Sequence, residues 1–231
     1  MIARNGGLFH RTTARRIVPT EQNGWTVHTD AGPLTASQLI VSAGRWSDSL
    51  LEPLGYSVPL ESERGYHLML PSPGVQLSRP TAMAERGFIA TPMRDGLRLA
   101  GTVEFAALDA PVDPRRSDIL CELAQPYLPG LDKTGATRWM GNRPVLPDSL
   151  PAIGAASRHR NLLYNFGHHH LGLTYAAASA QILSSVIVGE SPPIDVSLMS
   201  LDRFSRFRPQ RTIGPSTLQG APSQIEPRGV S

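Results

Sequence analysis

The spacing of apolar and polar residues predicts short strands that alternate with helices. Near the start of the chain, the alternating stretch Trp25–Thr29 is followed by a turn at 30–32 and by the apolar run 38–43. This pattern predicts a β-hairpin that leads into a buried strand. Gly44 stops the run, and helical spacing of apolar residues follows over 46–54. A buried strand that ends in glycine and enters a helix is typical of a ligand-facing edge in an α/β sheet.

The middle of the chain predicts an antiparallel sheet. Short strand patterns at 65–70, 87–91 and 96–103 are separated by proline and glycine. Residues 115–127 have helical spacing and interrupt the sheet. The proline-bearing stretch 136–151 is interpreted mainly as loop.

The last third of the chain predicts one more strand and two helices. The strand covers 161–166, and the following helix runs from about 172 to 188 before Gly189 ends it. A final helix is predicted over 197–207. Residues 208–231 are rich in Pro, Gly, Ser and Gln, which predicts a disordered tail.

Composition permits an enzyme and disfavours several other classes. The chain has 231 residues, 40% of them hydrophobic, which is enough for a sizeable core. Its net charge of +3 comes from scattered arginines, with Lys133 as the only lysine, so nucleic-acid binding is not expected. Cys121 is the only cysteine, which excludes an internal disulfide. No apolar run is long enough to span a membrane and no export signal is recognisable, so a reducing, cytoplasmic location is predicted.

The segment Gly167–Thr174 is the first candidate site. A strand ends there in a glycine-bearing loop, and a helix begins whose free backbone N–H groups favour a negative charge or an electron-rich carbonyl. An ordinary loop before a core helix would give the same pattern. The three consecutive histidines, His168 to His170, raise the alternative of a metal site. Neighbouring residues point in different directions and no Asp, Glu or Cys lies nearby in sequence, so no metal is expected.

Three further segments are candidates. Arg143 carries a planar guanidinium that can hold a carboxylate through two parallel bonds, although a surface salt bridge is the ordinary role of an arginine. Ala43 and Gly44 end a strand and permit close approach of a ligand, or simply make a tight turn. Tyr66 and His67 lie on opposite faces of a strand, so one of the two could line a pocket.

The order of these segments resembles one family. Val41 to Trp46, then Arg64 to His67, then Gly141 to Asp148, then Gly167 to Thr174 together look like the D-amino-acid oxidase and D-amino-acid dehydrogenase superfamily. The resemblance covers about residues 10 to 207. It implies an α/β (α+β) flavoprotein with a Rossmann-like FAD-binding domain and a substrate domain built on a mixed, largely antiparallel sheet.

The resemblance also implies a role for each segment. Arg143 would grip the substrate carboxylate, with Tyr66 as a pocket residue. His169 and His170 stand where many members have small residues, so a histidine there, His169 in particular, could reach the substrate. The residues expected to contact FAD are Ala43, Gly44, Trp46, Gly167, His168, Leu171, Gly172, Leu173 and Thr174.

The implied reaction is the oxidative deamination of an amino acid. A hydride would leave the α-carbon for the flavin, and water would hydrolyse the resulting imine. The region around residues 146–154 looks most like dehydrogenases, including forms acting on D-proline or hydroxyproline. Electrons would then pass to a quinone, a partner protein or oxygen, with peripheral attachment to the inner membrane as an option.

One expected feature is missing from the sequence. Members of this family begin with a strand, a Gly-x-Gly-x-x-Gly turn and a helix that hold the ADP pyrophosphate, and no such segment occurs here. We therefore expect a chain that starts after this βαβ unit. Its expected parts are a remnant of the FAD-binding domain (1–56), a substrate domain (57–140), a return to the FAD-binding domain (141–207) and the tail. The alternative is a non-catalytic remnant, or an interaction subunit whose ADP site another chain supplies.

Overall fold

The computed structural model describes residues 2–207, so the predicted tail at 208–231 lies outside the described residues. The strands, in chain order, are β1 (Ala14–Pro19), β2 (Trp25–Thr29), β3 (Gly32–Ala36), β4 (Leu39–Val41), β5 (Glu61–Leu70), β6 (Thr81–Met83), β7 (Phe88–Met93), β8 (Gly96–Phe105), β9 (Thr137–Val145), β10 (Ala152–Ala155) and β11 (Leu162–Phe166). The α-helices are α1 (Ser47–Leu51), α2 (Arg115–Ala124) and α3 (Gly172–Val188). Short 3-10 turns at Gly44–Trp46 and Glu52–Leu54 flank α1.

The described strands form three sheets. β1, β2 and β3 make an antiparallel meander, and β6-β7-β8-β5-β9 make a five-stranded antiparallel sheet. The third sheet has the order β10-β11-β4, in which β11 runs parallel to β4 and antiparallel to β10. The mixed α/β class and the largely antiparallel sheet are therefore confirmed.

Three apolar clusters hold the sheets and helices together. In the five-stranded sheet, leucines from β5 and β8 pack on Leu120, Cys121 and Ala124 of α2. In the mixed sheet, Ile153 and Leu163 pack on α3. A third cluster on the other side of the mixed sheet joins it to the meander and to α1; it includes Ile17, Trp25, Val41, Leu51, Leu146, Tyr164 and Phe166. Burial of aliphatic side chains of this size contributes about 1.5–3 kcal/mol each.

The hairpin, the central strands and α3 are where the sequence predicted them. α3 covers Gly172–Val188, and Gly189 ends it with φ of 75°, a conformation in which glycine has no Cβ penalty. Within residues 2–207, no helix is both long and apolar enough to cross a membrane.

Four local predictions were wrong or incomplete. The stretch interpreted as loop contains β9, and β10 was missed. β9 can include Pro144 because it is an edge strand, where a missing N–H leaves no ladder bond unmade. α2 ends at Ala124 instead of residue 127; its buried residues are Ser117, Leu120, Cys121 and Ala124, whereas Ile119 is 43% exposed. The last predicted helix consists of two 3-10 segments, Ser197–Met199 and Leu201–Phe207.

The domain limits remain a prediction. The expected boundary between 140 and 141 falls inside β9, whose residues pair continuously with β5 from Thr137 to Val145. A strand cannot be divided between two independent sheets at such a point. The chain passes from the five-stranded sheet to the mixed sheet after Val145, where Leu146 enters the core beside the mixed sheet.

Candidate active site

The carboxyl ends of two parallel strands bring the segment after Val41 and the loop after Phe166 together. β4 and β11 run side by side, with Val41 opposite Tyr164. The segment Ala43–Trp46 follows β4, and the loop that begins at Gly167 follows β11. Because parallel strands end at the same sheet edge, these two segments are neighbours there, where ligands bind in open α/β sheets.

Gly167 is required by its own geometry. Its φ is 82°, in the left-handed region. A Cβ at this position would lie 2.5 Å from Cδ1 of Leu146, a side chain that is only 1% exposed. The loop can therefore follow this path only with glycine at its first position.

His169 ties the loop to the end of β9. Its backbone N–H donates to the carbonyl of Pro144 at 3.1 Å, and its Nε2 accepts from the N–H of Leu146 at 3.3 Å. It does so with φ of 53°, unusual for a residue other than glycine. These two bonds place Arg143 beside the loop in the fold, although 24 positions separate Arg143 from Gly167 in the printed sequence.

His168 is directed into the protein. Its Nε2 lies 2.9 Å from Oγ of Ser179, a buried residue one to two turns into α3. Burial lowers the pKa of His168, and the neighbouring His169 adds to that shift. His168 therefore fixes the loop against the helix as a neutral side chain, while His170 is exposed.

The start of α3 offers unpaired backbone donors. Leu171 is its N-cap, without a side-chain capping bond, and the first turn carries no acidic residue. The N–H groups of Gly172, Leu173 and Thr174 precede the first intrahelical bond, which Tyr175 donates to the carbonyl of Leu171. Leu173 is 94% exposed. Such a helix start favours an anion or an electron-rich carbonyl in front of it.

The segment after β4 lies close to β9. The 3-10 turn Gly44–Trp46 contacts that strand, and Trp46 is 53% exposed. Gly44 has φ of 56°, and a Cβ there would meet no atom within 4 Å. Gly44 therefore leaves open space for a ligand, in a segment with Ala43 and Trp46 that contacts the strand carrying Arg143.

Arg143 faces away from α2, on the open side of the five-stranded sheet. It stands opposite Glu63 of β5, and its Nη1 lies 2.8 Å from the Glu63 Oε1. The guanidinium extends over Gly65, where a Cβ would collide with it. The side chains of Arg143 and Glu63 are 31% and 18% exposed, so the pair is accessible from this side.

Tyr66 is not on this side. It is 1% exposed, and its hydroxyl donates to Oε2 of Glu104 at 2.6 Å, within a cluster that also holds the buried Arg64. Burial and then the hydrogen bond to Glu104 raise the pKa of Tyr66. The alternation of β5 separates Tyr66 from Arg143, so the fold does not bring these two predicted residues together. Its neighbour His67 faces the open side.

Two residues on the open side were not predicted from the sequence. Glu63 pairs with Arg143, and Trp139 stacks on His67 with centroids 4.8 Å apart and planes 15° from parallel. Their alternate positions on β5 and β9 would have indicated a shared face, but only if 137–145 had been recognised as a strand.

The arrangement fits one edge of a flavin better than a metal ion. A flavin needs close backbone approach and donors for an electron-rich edge; Gly44 supplies the first and the start of α3 the second. Among the described residues, no group of three His, Cys, Asp or Glu could hold a metal. A cleft of about 280 Å³ near Tyr56 and Arg158 and another of about 690 Å³ between 71–77 and 92–97 lie elsewhere on the surface.

Comparison with known proteins gives a consistent result. The family model described as FAD dependent oxidoreductase matches residues 1–186. A D-amino-acid oxidase of Bradyrhizobium diazoefficiens is 35% identical over 182 residues, covering 77% of this chain and 43% of the relative. A D-amino acid dehydrogenase of Vibrio cholerae is 39% identical over 182 residues, covering 77% of this chain and 42% of the relative. The chain thus spans less than half the length of these curated relatives.

Two solved structures share the fold. Glycine oxidase from Geobacillus kaustophilus superposes with a TM-score of 0.73 at 22% identity, over 87% of this chain and 55% of that one. Iminodiacetate oxidase from Chelativorans sp. gives a TM-score of 0.70 at 21% identity, over 86% and 55%. At such identities the likeness concerns the fold alone.

Proposed function

Because this chain belongs to the family of FAD-dependent oxidoreductases, we propose that it forms the part of an amino-acid-oxidising enzyme that faces both flavin and substrate. The substrate class we propose is D-amino acids, with D-proline or hydroxyproline as the finer assignment. The names of the relatives from Bradyrhizobium and Vibrio both specify D-amino acids.

The contact of His169 with the end of β9 carries the proposal. Its bonds to Pro144 and Leu146 join the loop before α3 to the end of the strand that carries Arg143. A carboxylate held by Arg143 would place the α-carbon of an amino acid beside the space bordered by Gly44 and the loop. None of the three segments could do this alone.

The residues divide the work between positioning and electrostatics. Arg143 binds the substrate carboxylate. The N–H groups of Gly172, Leu173 and Thr174 stabilise negative charge at the cofactor edge, and Ala43, Gly44 and Trp46 border its ring system. FAD, when bound, supplies the acceptor for the hydride of the α-carbon. No side chain has to remove a proton from carbon in such a transfer, and water hydrolyses the imine product.

The electron acceptor and location are part of the proposal. A quinone or a partner protein would make the enzyme a dehydrogenase, and oxygen would make it an oxidase; we favour the dehydrogenase, in the cytoplasm and peripheral to the inner membrane. We expect the enzyme to reduce an artificial dye when oxygen is absent. In air we expect it to form no hydrogen peroxide. Stoichiometric hydrogen peroxide would instead identify an oxidase.

Substitution of Arg143 tests the substrate site. Arg143→Gln in the flavin-loaded protein should raise KM for a D-amino acid by about tenfold or more, because a charge-assisted bond is lost. Arg138→Gln is the matched control: Arg138 lies on the same strand but points to the other face, where it pairs with Asp118 at 2.6 Å. An unchanged KM in the Arg143 variant would contradict the assigned role.

The second candidate function is that of an interaction subunit, or of a remnant without activity. In its favour, the candidate cofactor residues described here, at Ala43 to Trp46 and Gly167 to Thr174, would border only the flavin end of FAD, so the ADP end needs groups from elsewhere. Flavin absorbance of the purified 231-residue chain separates the two functions. Stoichiometric FAD would refute the remnant, whereas a colourless protein that cannot be reconstituted would refute independent catalysis.

A further inference from the structure

Three cross-strand pairs line one face of the β5–β9 ribbon. Glu63 is opposite Arg143, Gly65 opposite Gly141, and His67 opposite Trp139. Alternate residues of a strand share a face, so all six lie on the same side. The intervening residues of β5, such as Leu68, are buried against α2 on the opposite side. We call these six residues the platform.

The charged end of the platform is electrically balanced. The ion pair joins Nη1 of Arg143 to Oε1 of Glu63 at 2.8 Å, and within residues 2–207 it is the only hydrogen bond of this guanidinium. The remaining guanidinium N–H groups can bind a second carboxylate. The other oxygen of Glu63 can accept from a cation, so the pair presents one site of each sign.

The other end of the platform is aromatic. The indole of Trp139 is supported by its stack on His67, yet Trp139 remains 56% exposed. Its ring bends over Gly141, just as the guanidinium of Arg143 bends over Gly65. Gly65 and Gly141 are directly opposite each other, and the Cβ positions of such a pair are about 4.5–5.5 Å apart. The guanidinium and the indole that cover these two positions are therefore neighbours. This face therefore carries an ion pair at one end and a partly exposed indole at the other.

We propose that this platform recognises the whole zwitterion of an amino acid with an apolar side chain; this rests on the proposed function. Arg143 binds the carboxylate, Glu63 binds the ammonium group, and Trp139 contacts the side chain. A ligand with only a carboxylate is attracted by Arg143 but repelled by Glu63. A zwitterion satisfies both, so Glu63 selects for the amino group.

Two ligands that differ only in the amino group test the role of Glu63. D-Proline and cyclopentanecarboxylate share a five-membered ring and a carboxylate, but the second lacks the amine. Calorimetric titration of the 231-residue chain, with FAD present throughout, gives both dissociation constants. Glu63→Gln should weaken D-proline binding by about tenfold or more and leave cyclopentanecarboxylate binding equal or tighter. Glu63→Asp, which retains the charge, should recover part of the affinity for D-proline.

The controls separate this proposal from the proposed function. Glu122→Gln, an exposed change on α2, should alter neither constant. Equal weakening of both ligands by Glu63→Gln would mean that Glu63 only positions Arg143, and no change in either would also overturn the ammonium role. If the unaltered chain binds neither ligand, or if Arg143→Gln changes the binding of neither, the proposed function itself fails.

The test of Trp139 compares the affinities for two D-amino acids instead of measuring the affinity for one. Trp139→Leu should reduce the preference for D-proline over D-alanine by about threefold or more, because D-proline has more apolar surface than D-alanine to bury against the indole. Far-ultraviolet circular dichroism checks that the variant is folded. A folded variant with the original preference would remove Trp139 from the platform's function.

Discussion

Replacement of Gly167 by alanine should destabilise the protein through a contact that can be isolated. The left-handed backbone, with φ of 82°, costs alanine about 1–2 kcal/mol. The new Cβ also meets Leu146, whose Cδ1 is 2.5 Å away and which is buried in a packed core. Overpacking of this kind costs about 1–3 kcal/mol. The stiffer unfolded chain offsets about 0.4–1 kcal/mol, so a net loss of about 1–4.6 kcal/mol is expected.

Gly189 provides the matched control. It has φ of 75° and would meet no atom within 4 Å, so Gly189→Ala carries the backbone cost without the steric one. Urea unfolding of both variants should therefore differ by about 1–3 kcal/mol. In a Leu146→Val background, which shortens the opposing side chain, the cost of Gly167→Ala should fall.

Two outcomes would refute this reasoning. Equal losses at Gly167 and Gly189 would mean that the loop moves away from Leu146 at no cost. Strict additivity of the Gly167 and Leu146 changes would likewise mean that the two residues do not compete for space.

Two further predictions concern buried titratable groups. Burial lowers the pKa of His168 in the folded chain. As pH falls through the ordinary histidine pKa of about 6.5, the unfolded chain therefore binds a proton at this residue before the folded chain does. The free energy of unfolding should decrease from about pH 7.5 to about pH 5 as a result. His168→Gln should flatten that slope in urea titrations, a His10→Gln control should not, and an unchanged slope in the first variant would contradict the assignment. Cys121 is 4% exposed and burial raises the pKa of its thiol, so it should react with Ellman's reagent only as the protein unfolds; rapid labelling of the native chain would show that α2 packs more loosely than described.

The regions that were predicted well have strong local signals. Gly189 and the apolar spacing before it define α3, and the hairpin from Trp25 follows from strict alternation around a turn. β9 was missed because Gly141, Asn142 and Pro144 are poor strand formers. Its conformation is set by pairing with β5, whose residues lie 68 to 84 positions away in the sequence, and no local pattern reveals such a partner.

The candidate site shows the same division. The residue types at Gly167–Thr174 and Arg143 indicated the chemistry, because a glycine-bearing helix start and a guanidinium have intrinsic electrostatic properties. Their proximity depends on the bonds of His169 to the end of β9. The resemblance points to Tyr66 and not to His67, but the sequence does not show which face of β5 is covered by α2, and in the fold Tyr66 is buried on that face with its hydroxyl bonded to Glu104.

The sequence by itself determined the class of fold, the start and end of α3, and the kinds of group available for binding. Those properties depend on neighbours a few residues apart, through periodicity, backbone preference and side-chain chemistry. Only the tertiary structure decided that Glu63 faces Arg143, that Trp139 stacks on His67, and that the ends of β4 and β11 meet beside them. Strand pairing and helix coverage assign each side chain to a face, and that assignment depends on residues far apart in the chain.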